Sequence, residues 1–235
     1  MDLFVGTKLS ESKFILKENE YHHCIRVTRH KAGDLVLVTD FNGLIYEGTL
    51  TEINQSEAYV SIKSIFKKEE KGEHRITIAI SPTQQMDRFE WFVEKSVECG
   101  VHRIVPIHCK RTENNKIKLD RLDKIIASSA KQTLRPLRPE INELVDFKIF
   151  VKGCASYSQR FIAHCESDSK LFLGNTYNPK VDAVVLIGPA GDFTLEEIQL
   201  AKETGFIPVS LGDYRLRTET AGLSALLILQ TIRNR

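Results

Sequence analysis

The sequence predicts an α/β protein with two parts, a small N-terminal unit of short β-strands and a larger unit built around a parallel sheet. Residues 1–70 carry short apolar runs separated by turn residues, which is typical of a small antiparallel sheet or barrel. From residue 76 onward, strand patterns alternate with helical patterns, and this alternation indicates a parallel sheet. The length of 235 residues fits two compact units of unequal size.

The N-terminal unit contains a hairpin signal. β-rich runs at residues 34–39 and 44–50 flank an Asn-Gly dipeptide at residues 42–43, which favours a tight turn between antiparallel strands. A third run follows at residues 58–62. The charged segment at residues 67–72 is predicted to be a linker to the larger unit.

The larger unit is predicted from its changing periodicity. Apolar residues at helical spacing, among them Phe89 and Phe92, predict a helix that Gly100 ends. The same spacing predicts that Trp91 packs in the core and does not form a base-stacking platform. The predicted strands are residues 76–80, 103–107, 161–163, 181–187 and 207–211, and the predicted helices are residues 86–99, 119–134, 196–204 and 219–232.

The bulk composition excludes several protein classes. The apolar fraction of 42% and the charged fraction of 27% are those of a globular protein. No apolar run approaches the length of about 20 residues that crosses a bilayer. The N-terminus lacks the pattern of a secretory signal, so we expect a cytoplasmic protein. The five cysteines include no Cys-x-x-Cys pair, which predicts reduced, mostly buried thiols and neither a disulfide framework nor a zinc site.

Charge is distributed unevenly along the chain. The net charge is only +2, which by itself does not indicate nucleic-acid binding. Residues 103–138, however, contain ten basic and three acidic side chains. This segment is either a surface that contacts phosphate or a solvated, lysine-rich helix face.

Two glycine-bearing loops follow predicted strands. The strand at residues 184–187 runs into Gly-Pro-Ala-Gly-Asp-Phe at residues 188–193, and Thr194 with Glu197 forms the pattern of a helix capping box. The second loop, residues 211–217, follows the next strand, and Thr218 is the expected N-cap of the closing helix. Because ligands bind at the carboxyl ends of parallel strands, these loops predict a ligand site.

The commonest ligands of such loops are disfavoured. A phosphate-binding loop would need Gly-Lys-Ser/Thr, and a dinucleotide fold would need Gly-x-Gly-x-x-Gly in its first strand-to-helix turn. Neither pattern occurs, so ATP, GTP and NAD are disfavoured. The residues alone leave the ligand unspecified.

The two loops resemble the signatures of the RsmE family of SPOUT methyltransferases. These signatures are Gly-Pro-Glu-Gly-Gly/Asp-Phe and Leu-Gly-x-x-(x)-Leu-Arg-x-Glu-Thr-Ala, which correspond here to residues 188–193 and 211–221. The resemblance covers nearly the whole chain and includes residues 23–34, which look like the opening of the family's PUA-like RNA-binding domain. The chain departs from the pattern at Ala190, where the family usually has glutamate, and at Gly222, where it usually has a larger residue.

The resemblance implies a fold and an activity. Residues 1–72 would form a PUA-like β-barrel domain, and residues 73–235 a SPOUT α/β domain with a C-terminal trefoil knot. The implied cofactor is S-adenosyl-L-methionine (SAM), and the implied reaction is methylation of N3 of a uridine in 16S rRNA of the small ribosomal subunit. The family also implies a homodimer whose active sites are completed across the subunit interface, with no metal and no membrane.

The resemblance also implies roles for individual residues. Arg217 would stabilise the uracil anion, although an ion pair with Glu219 or Asp213 is the structural alternative. Glu219 would accept a proton through water, or it would only complement the helix dipole. Asp192 is a second possible base, or it bonds local amides. The implied cofactor-binding residues are Ile187, Gly188, Gly191, Leu211, Gly212, Leu216, Arg217 and Thr218.

RNA contacts are expected outside these loops. Guanidinium groups suit the geometry of phosphate, and the expected contacts are Arg26, Arg29, Arg111 and Arg135. The three histidines at residues 22, 23 and 30 are expected to face solvent or RNA, because no further ligand follows at metal spacing.

Two other functions stay open. Ala190 and the basic segment at residues 103–138 are compatible with a non-catalytic RNA-binding or ribosome-assembly factor. A methyltransferase of the same class could also act on tRNA or on another ribosomal site.

Overall fold

The computed structural model describes residues 2–70, 72, 74–166 and 170–234. The chain forms two compact units, one with residues 1–72 and 127–138 and one with residues 73–126 and 139–235. The first unit therefore contains residues 127–138 in addition to the segment before the predicted division at residue 72. The assignment of functional domains to residues 1–72 and 73–235 stays a prediction.

The first unit is a six-stranded sheet in the order β1-β4-β5-β6-β3-β2. All neighbouring strands are antiparallel except β1 and β4, which are parallel. Register shifts between β5 and β6 curl the sheet around an apolar core that includes Phe4, Phe14 and Leu16. The strands are β1 (Leu3–Val5), β2 (Thr7–Ser10), β3 (Lys13–Lys17), β4 (Leu35–Thr39), β5 (Leu44–Ile53) and β6 (Glu57–Lys68).

The hairpin predicted in this unit is confirmed, because β4 and β5 pair as antiparallel neighbours on either side of residues 40–43. A short helix, α1 (Glu18–Tyr21), follows β3 and continues into a π-helical turn, His22–Val27. The linker predicted at residues 67–72 begins later than expected, since β6 runs to Lys68. Lys71 lies outside the described residues.

The second unit is a parallel sheet in the order β10-β8-β7-β13-β11-β14-β12, with β9 also paired to β8. Every strand pair in it is parallel, which confirms the prediction from the alternating pattern. The strands are β7 (Ile76–Ile80), β8 (Arg103–His108), β9 (Glu140–Ile141), β10 (Val145–Asp146), β11 (Gln159–Ala163), β12 (Leu171–Phe172), β13 (Ala183–Ile187) and β14 (Ile207–Ser210).

The helices follow the same alternation. The principal ones were predicted to within a few residues; the short α4 and α5 were not, nor was the 3-10 turn Cys154–Ser156. Gly100 has a φ of +86°, so its left-handed backbone ends α2 as predicted. The helices are α2 (Met86–Glu98), α3 (Leu119–Gln132), α4 (Phe147–Gly153), α5 (Leu173–Thr176), α6 (Leu195–Glu203) and α7 (Thr218–Arg233).

The core prediction for Trp91 is wrong. Phe89 and Phe92 are fully buried, but 44% of Trp91 is exposed. Residues 89, 92, 93, 96 and 97 form the buried face of α2, and position 91 lies on another side of a helix with 3.6 residues per turn.

The two central strands explain where the site lies. All residues of β7 and β13 are buried, as expected for strands of a parallel sheet whose two faces are both covered. Both strands end at the same edge of the sheet, since Ile80 and Ile187 are paired, and each strand is followed there by a loop. The trefoil knot stays a prediction. Within the described ranges, no helix combines the length and apolar character needed to cross a bilayer.

Candidate ligand site

A cavity of about 1060 Å³ lies at the carboxyl ends of four neighbouring strands, β7, β13, β11 and β14. This is the edge at which parallel α/β sheets bind ligands. Every residue predicted to bind the cofactor or to catalyse lines this cavity: Ile187, Gly188, Gly191, Leu211, Gly212, Leu216, Arg217, Thr218 and Glu219. The structure therefore brings all of them together, while their individual roles stay predictions.

The first loop, residues 188–193, is held by several hydrogen bonds. Asp192 has a left-handed backbone (φ +69°), and its carboxylate accepts hydrogen bonds from the N–H groups of Cys165 (2.6 Å) and Phe193 (2.8 Å). The carboxylate thus serves local amides, which is the structural alternative to a role as base. The loop leads into α6 through the predicted capping box of Thr194 and Glu197, which is confirmed.

The second loop, residues 211–217, has a different character. Gly212 has a φ of +135° and is held by the Ser210 hydroxyl, which bonds both its N–H and its carbonyl at 3.1 Å. The following side chains are exposed, and Tyr214 is 88% exposed. Space around Gly212 is open, because a Cβ atom there would meet no heavy atom within 4 Å.

The start of α7 joins the two loops. Arg217 is the N-cap residue, so the expectation that Thr218 caps this helix is wrong. Thr218 is the first helical residue, and its hydroxyl donates a hydrogen bond of 3.1 Å to the carbonyl of Gly188. This bond ties the helix to the first loop across thirty positions of sequence.

Arg217 and Glu219 differ in their surroundings. Arg217 is exposed and forms no ion pair with any described residue, so neither Glu219 nor Asp213 occupies its guanidinium group. Glu219 is only 8% exposed and lies in the first turn of α7. Arg215, which also lines the cavity, is likewise exposed and has no ion pair with a described residue. The cavity thus combines exposed guanidinium groups with a buried carboxylate, Glu219.

Sequence reasoning missed part of the cavity wall. Residues that follow β7, including Gln85 and Arg88, and residues that follow β11, including His164, Cys165 and Lys170, also line it. These segments carry no glycine motif. The signal that could have found them is positional, because they follow the strands on either side of β13.

The prediction of free, mostly buried thiols is confirmed for three of the five cysteines. All five are free, and Cys24, Cys109 and Cys154 are buried. Burial raises the pKa of the Cys24 and Cys154 thiols to about 12. Cys165 is the exposed exception; partial burial is the main reason that its pKa is raised, and the negative charge of Asp192 adds to the shift.

The departure from the family pattern at Gly222 has a packing reason. A Cβ atom at this position would lie 2.6 Å from Cε2 of Phe92 and 2.8 Å from Cδ1 of Ile80. The ring of Phe92 on α2 therefore fills the space that a larger residue would need. Ala190 is exposed at the cavity wall, where its methyl group supplies no charge.

The four arginines expected to contact RNA fall into three groups. Arg26 and Arg29 are exposed in the first unit. Arg135 is only 8% exposed and pairs with Glu69 at 3.5 Å, so it is held within its own unit. Arg111 is exposed but donates hydrogen bonds to backbone carbonyls of the first loop.

The basic segment at residues 103–138 is not one continuous set of free cations. Arg103, Arg121 and Lys131 form ion pairs with Glu140, Glu90 and Glu20. Besides Arg111, three basic residues between β8 and α3 are exposed and have no ion pair among the described residues: Lys110, Lys116 and Lys118. The histidines agree in part with the expectation that they face solvent or RNA. His22 is exposed, whereas the ring nitrogens of His30 contact the carboxylates of Asp2 and Asp34.

Comparison with known protein families gives matches to both parts of the chain. The profile of the RNA methyltransferase domain matches residues 69–230, and the profile of the RNA methyltransferase PUA domain matches residues 16–63. The first match spans more than half of the chain. Both agree with the predicted fold class.

Individual relatives extend over nearly the full length. The crystal structure of a probable rRNA-methyltransferase from Porphyromonas gingivalis is 35% identical, with a TM-score of 0.91 over 100% of this chain and 99% of that one. The Ribosomal RNA small subunit methyltransferase E of Neisseria gonorrhoeae, crystallised with SAM, is 28% identical, with a TM-score of 0.87 over 98% and 97% of the two chains. The protein of that name from Mesomycoplasma hyopneumoniae is 29% identical over 95% of this chain and 96% of its own length.

These matches confirm the predicted relation to the RsmE family. They agree with the geometry, in which the two loops that carry the family signatures form one cavity at the carboxyl edge of a parallel sheet. The chain belongs to the RNA methyltransferase family.

Proposed function

We propose that this protein is a SAM-dependent methyltransferase that modifies N3 of a uridine in 16S rRNA of the small ribosomal subunit. The observation that carries the proposal is the convergence of all nine predicted cofactor and catalytic residues on one cavity. The proposal includes a cytoplasmic homodimer, a C-terminal trefoil knot, and the division into an RNA-binding domain at residues 1–72 and a methyltransferase domain at residues 73–235.

The residues of the cavity fit SAM. Gly212 leaves open space beside its backbone, which lets a ligand approach the main chain closely. Leu211, Leu216 and Ile187 supply apolar surface for an adenine ring. The volume of about 1060 Å³ slightly exceeds the range of about 300–1,000 Å³ for small-molecule sites, which leaves room for a nucleotide beside the cofactor.

When bound, SAM supplies an electrophilic methyl group on a cationic sulfonium. The protein must orient the uracil base and promote loss of the proton on N3. Arg217 is exposed in the cavity without an ion-pair partner, so its guanidinium group is available to stabilise negative charge on the uracil oxygens.

Two carboxylates of the cavity, Asp192 and Glu219, are candidates to accept the proton from N3. Asp192 already accepts two amide hydrogen bonds, one on each carboxylate oxygen, so both oxygens are engaged with the backbone. We therefore assign proton acceptance, directly or through water, to Glu219, which lines the cavity two residues after Arg217 but is largely buried.

We assign RNA backbone contacts to Arg26 and Arg29 of the first unit, which are both exposed. Arg135 is left out, because a buried guanidinium group in an ion pair would have to break that pair to reach phosphate.

Mass spectrometry of 16S rRNA nucleosides from a deletion strain and its parent tests the proposal. We expect 3-methyluridine to be missing in the deletion strain and to return with the wild-type gene but not with a gene encoding Arg217→Ala. Unchanged 3-methyluridine would refute the proposed substrate. Restoration by Arg217→Ala at normal level would favour a structural role for that arginine.

A further inference from the structure

We propose that Arg111 is a positioning residue for the cofactor, which acts by holding the first loop (residues 188–193) from outside the cavity. The inference rests on the proposed function, because it takes SAM as the ligand of that loop. It replaces the expectation from sequence that Arg111 contacts RNA phosphate.

The guanidinium group of Arg111 reaches three successive carbonyls of the loop. Its Nη1 donates a hydrogen bond to the carbonyl of Gly191, and it lies 3.5 Å from the carbonyl oxygen of Asp192 and 3.4 Å from that of Phe193. Hydrogen bonds from a charged donor are stronger than those between neutral groups. One cation therefore fixes the direction of the peptide groups at the turn of the loop.

This turn needs such support. Gly191 and Asp192 both have left-handed backbone conformations, with φ values of +84° and +69°. For aspartate this conformation is uncommon and persists only where the surroundings stabilise it. Arg111 bonds the carbonyls at this position, and the Asp192 side chain bonds the amides of Cys165 and Phe193.

Residues next to Arg111 in sequence are also linked to both ends of the first loop. After the loop, the N–H of Lys110 donates to Oε1 of Glu197 (2.7 Å), whose Oε2 accepts from the N–H of Thr194 (2.8 Å). One carboxylate thus joins this segment to the N-cap of α6.

Before the loop, a chain of hydrogen bonds leads from Cys109 to Ile187, the last residue of β13. The N–H of Cys109 donates to the Thr112 hydroxyl (2.8 Å), which lies 2.8 Å from the Ser81 hydroxyl. The N–H of Ser81 donates to the carbonyl of Ile187 at 3.0 Å. The loop is therefore held before, within and after its turn by residues that follow β8 and β7.

Arg111 acts without touching the ligand. It borders a separate pocket of about 480 Å³ with Lys110, Thr194, Leu195 and Glu196, and it is not among the described residues that line the cofactor cavity. Loss of the guanidinium group should change the affinity for SAM through the loop, while the RNA-contacting surface keeps its other cations.

The test uses purified full-length protein with three variants, Arg111→Ala, Arg111→Lys and, as the matched control, Arg75→Ala, which removes an exposed arginine paired with Glu140. Calorimetry with SAM and steady-state kinetics with 16S rRNA give the SAM Kd and the KM for RNA. For Arg111→Ala we expect the SAM Kd to rise about tenfold, the size expected for loss of one charge-assisted hydrogen bond, with the KM for RNA unchanged at saturating SAM.

Further readouts separate positioning from general damage to the fold. Arg111→Lys keeps one charged donor and should show an intermediate SAM Kd, and guanidinium ion at non-denaturing concentration should partly restore SAM binding to Arg111→Ala. If Arg111→Ala does not fold, Arg111→Lys carries the test. A wild-type SAM Kd in the variants, with a raised KM for RNA, would overturn the inference in favour of a phosphate contact. Absence of SAM binding by the wild-type protein would instead refute the proposed function.

Discussion

The first loop of the cavity is held by hydrogen bonds from three other segments, whereas the side chains of the second loop extend into solvent. Arg111, Cys165 and Thr218 bond the first loop at its turn, its end and its beginning. In the second loop, the hydrogen bonds among the described residues fix Gly212 alone in this way, through the hydroxyl of Ser210 two positions earlier. Within the described chain, the side chains of residues 213–217 form no hydrogen bond or ion pair and are exposed.

From this difference we expect the two loops to have different functions. A loop whose backbone is fixed before binding can hold a cofactor without the entropic cost of ordering. A loop with free side chains can adjust to a large substrate such as RNA. We therefore expect substitutions in the first loop to change stability and SAM affinity, and substitutions in the second loop to change catalysis more strongly.

The largest effect is expected for Arg217→Ala. Loss of a cation that stabilises the developing uracil anion should lower kcat by roughly 100- to 1,000-fold. Because its side chain is exposed and unpaired, the free energy of unfolding should not change. Single-turnover methylation of 16S rRNA and thermal unfolding measure the two quantities.

Asp192→Asn is the substitution in the first loop to compare with Arg217→Ala in the second. Asparagine tolerates a left-handed backbone, and its carbonyl oxygen can still accept an amide hydrogen bond. We expect kcat to change by no more than about fivefold, with a moderate rise in the SAM Kd. A collapse of kcat equal to that of Arg217→Ala would identify Asp192 as the base and contradict the assigned division.

Gly188→Ala should lower stability. A Cβ atom there would lie 3.0 Å from Cδ2 of Phe193, whose ring is buried against Phe147 at a centroid distance of 5.5 Å. Forcing such a contact costs about 1–3 kcal/mol of unfolding free energy. Gly153→Ala is the matched control, since a Cβ atom at Gly153 would meet nothing within 4 Å. Equal denaturation midpoints for the two variants would show that the first loop is not rigid.

Much of the site could be predicted because its signals are local. The glycine-bearing loops after β13 and β14 and the Thr194–Glu197 capping box are each contained within a few residues, and all appear where predicted. Contacts between distant segments could not be read in this way. Arg111 bonds carbonyls 80 or more positions away, and Arg135 pairs with Glu69 at a separation of 66. A pattern of basic residues does not distinguish such internal partners from phosphate.

The fold shows the same limit. Alternating strand and helix patterns predicted the parallel sheet, but strands of two residues, such as β9 and β10, are too short to have a period. The helical spacing of Phe89 and Phe92 correctly placed both in the core, while the exposure of Trp91 depends on which face of α2 is covered.

Gly212→Ala should raise the SAM Kd about tenfold. The φ of +135° at this position is a backbone conformation that alanine rarely adopts, and leaving it would move the wall of the cavity. A Cβ atom there has open space, but alanine at this φ is strained, so we expect the free energy of unfolding to fall by about 1–2 kcal/mol. An unchanged SAM Kd together with an unchanged unfolding midpoint would mean that the backbone conformation of Gly212 matters neither for the loop nor for the cofactor.

The smallest effect concerns the reactivity of Cys165. Its raised pKa keeps the thiol protonated near neutral pH, so alkylation by iodoacetamide should be slow there and accelerate as pH rises above the usual thiol range. Asp192→Asn removes a negative charge that disfavours the thiolate, which should lower the pKa and speed alkylation at a given pH. Peptide mass spectrometry measures the rates, with buried Cys24 as the unreactive reference. Equal rates in both proteins would place Asp192 outside the electrostatic surroundings of Cys165.

Calorimetric titration of the wild-type protein with SAM tests the central claim most directly, namely that the two loops form one cofactor site. We expect one SAM to bind per chain, and we expect Gly212→Ala to weaken that binding while Gly153→Ala leaves it unchanged. Absence of binding by the folded wild-type protein, or equal SAM affinity in all three proteins, would contradict the claim.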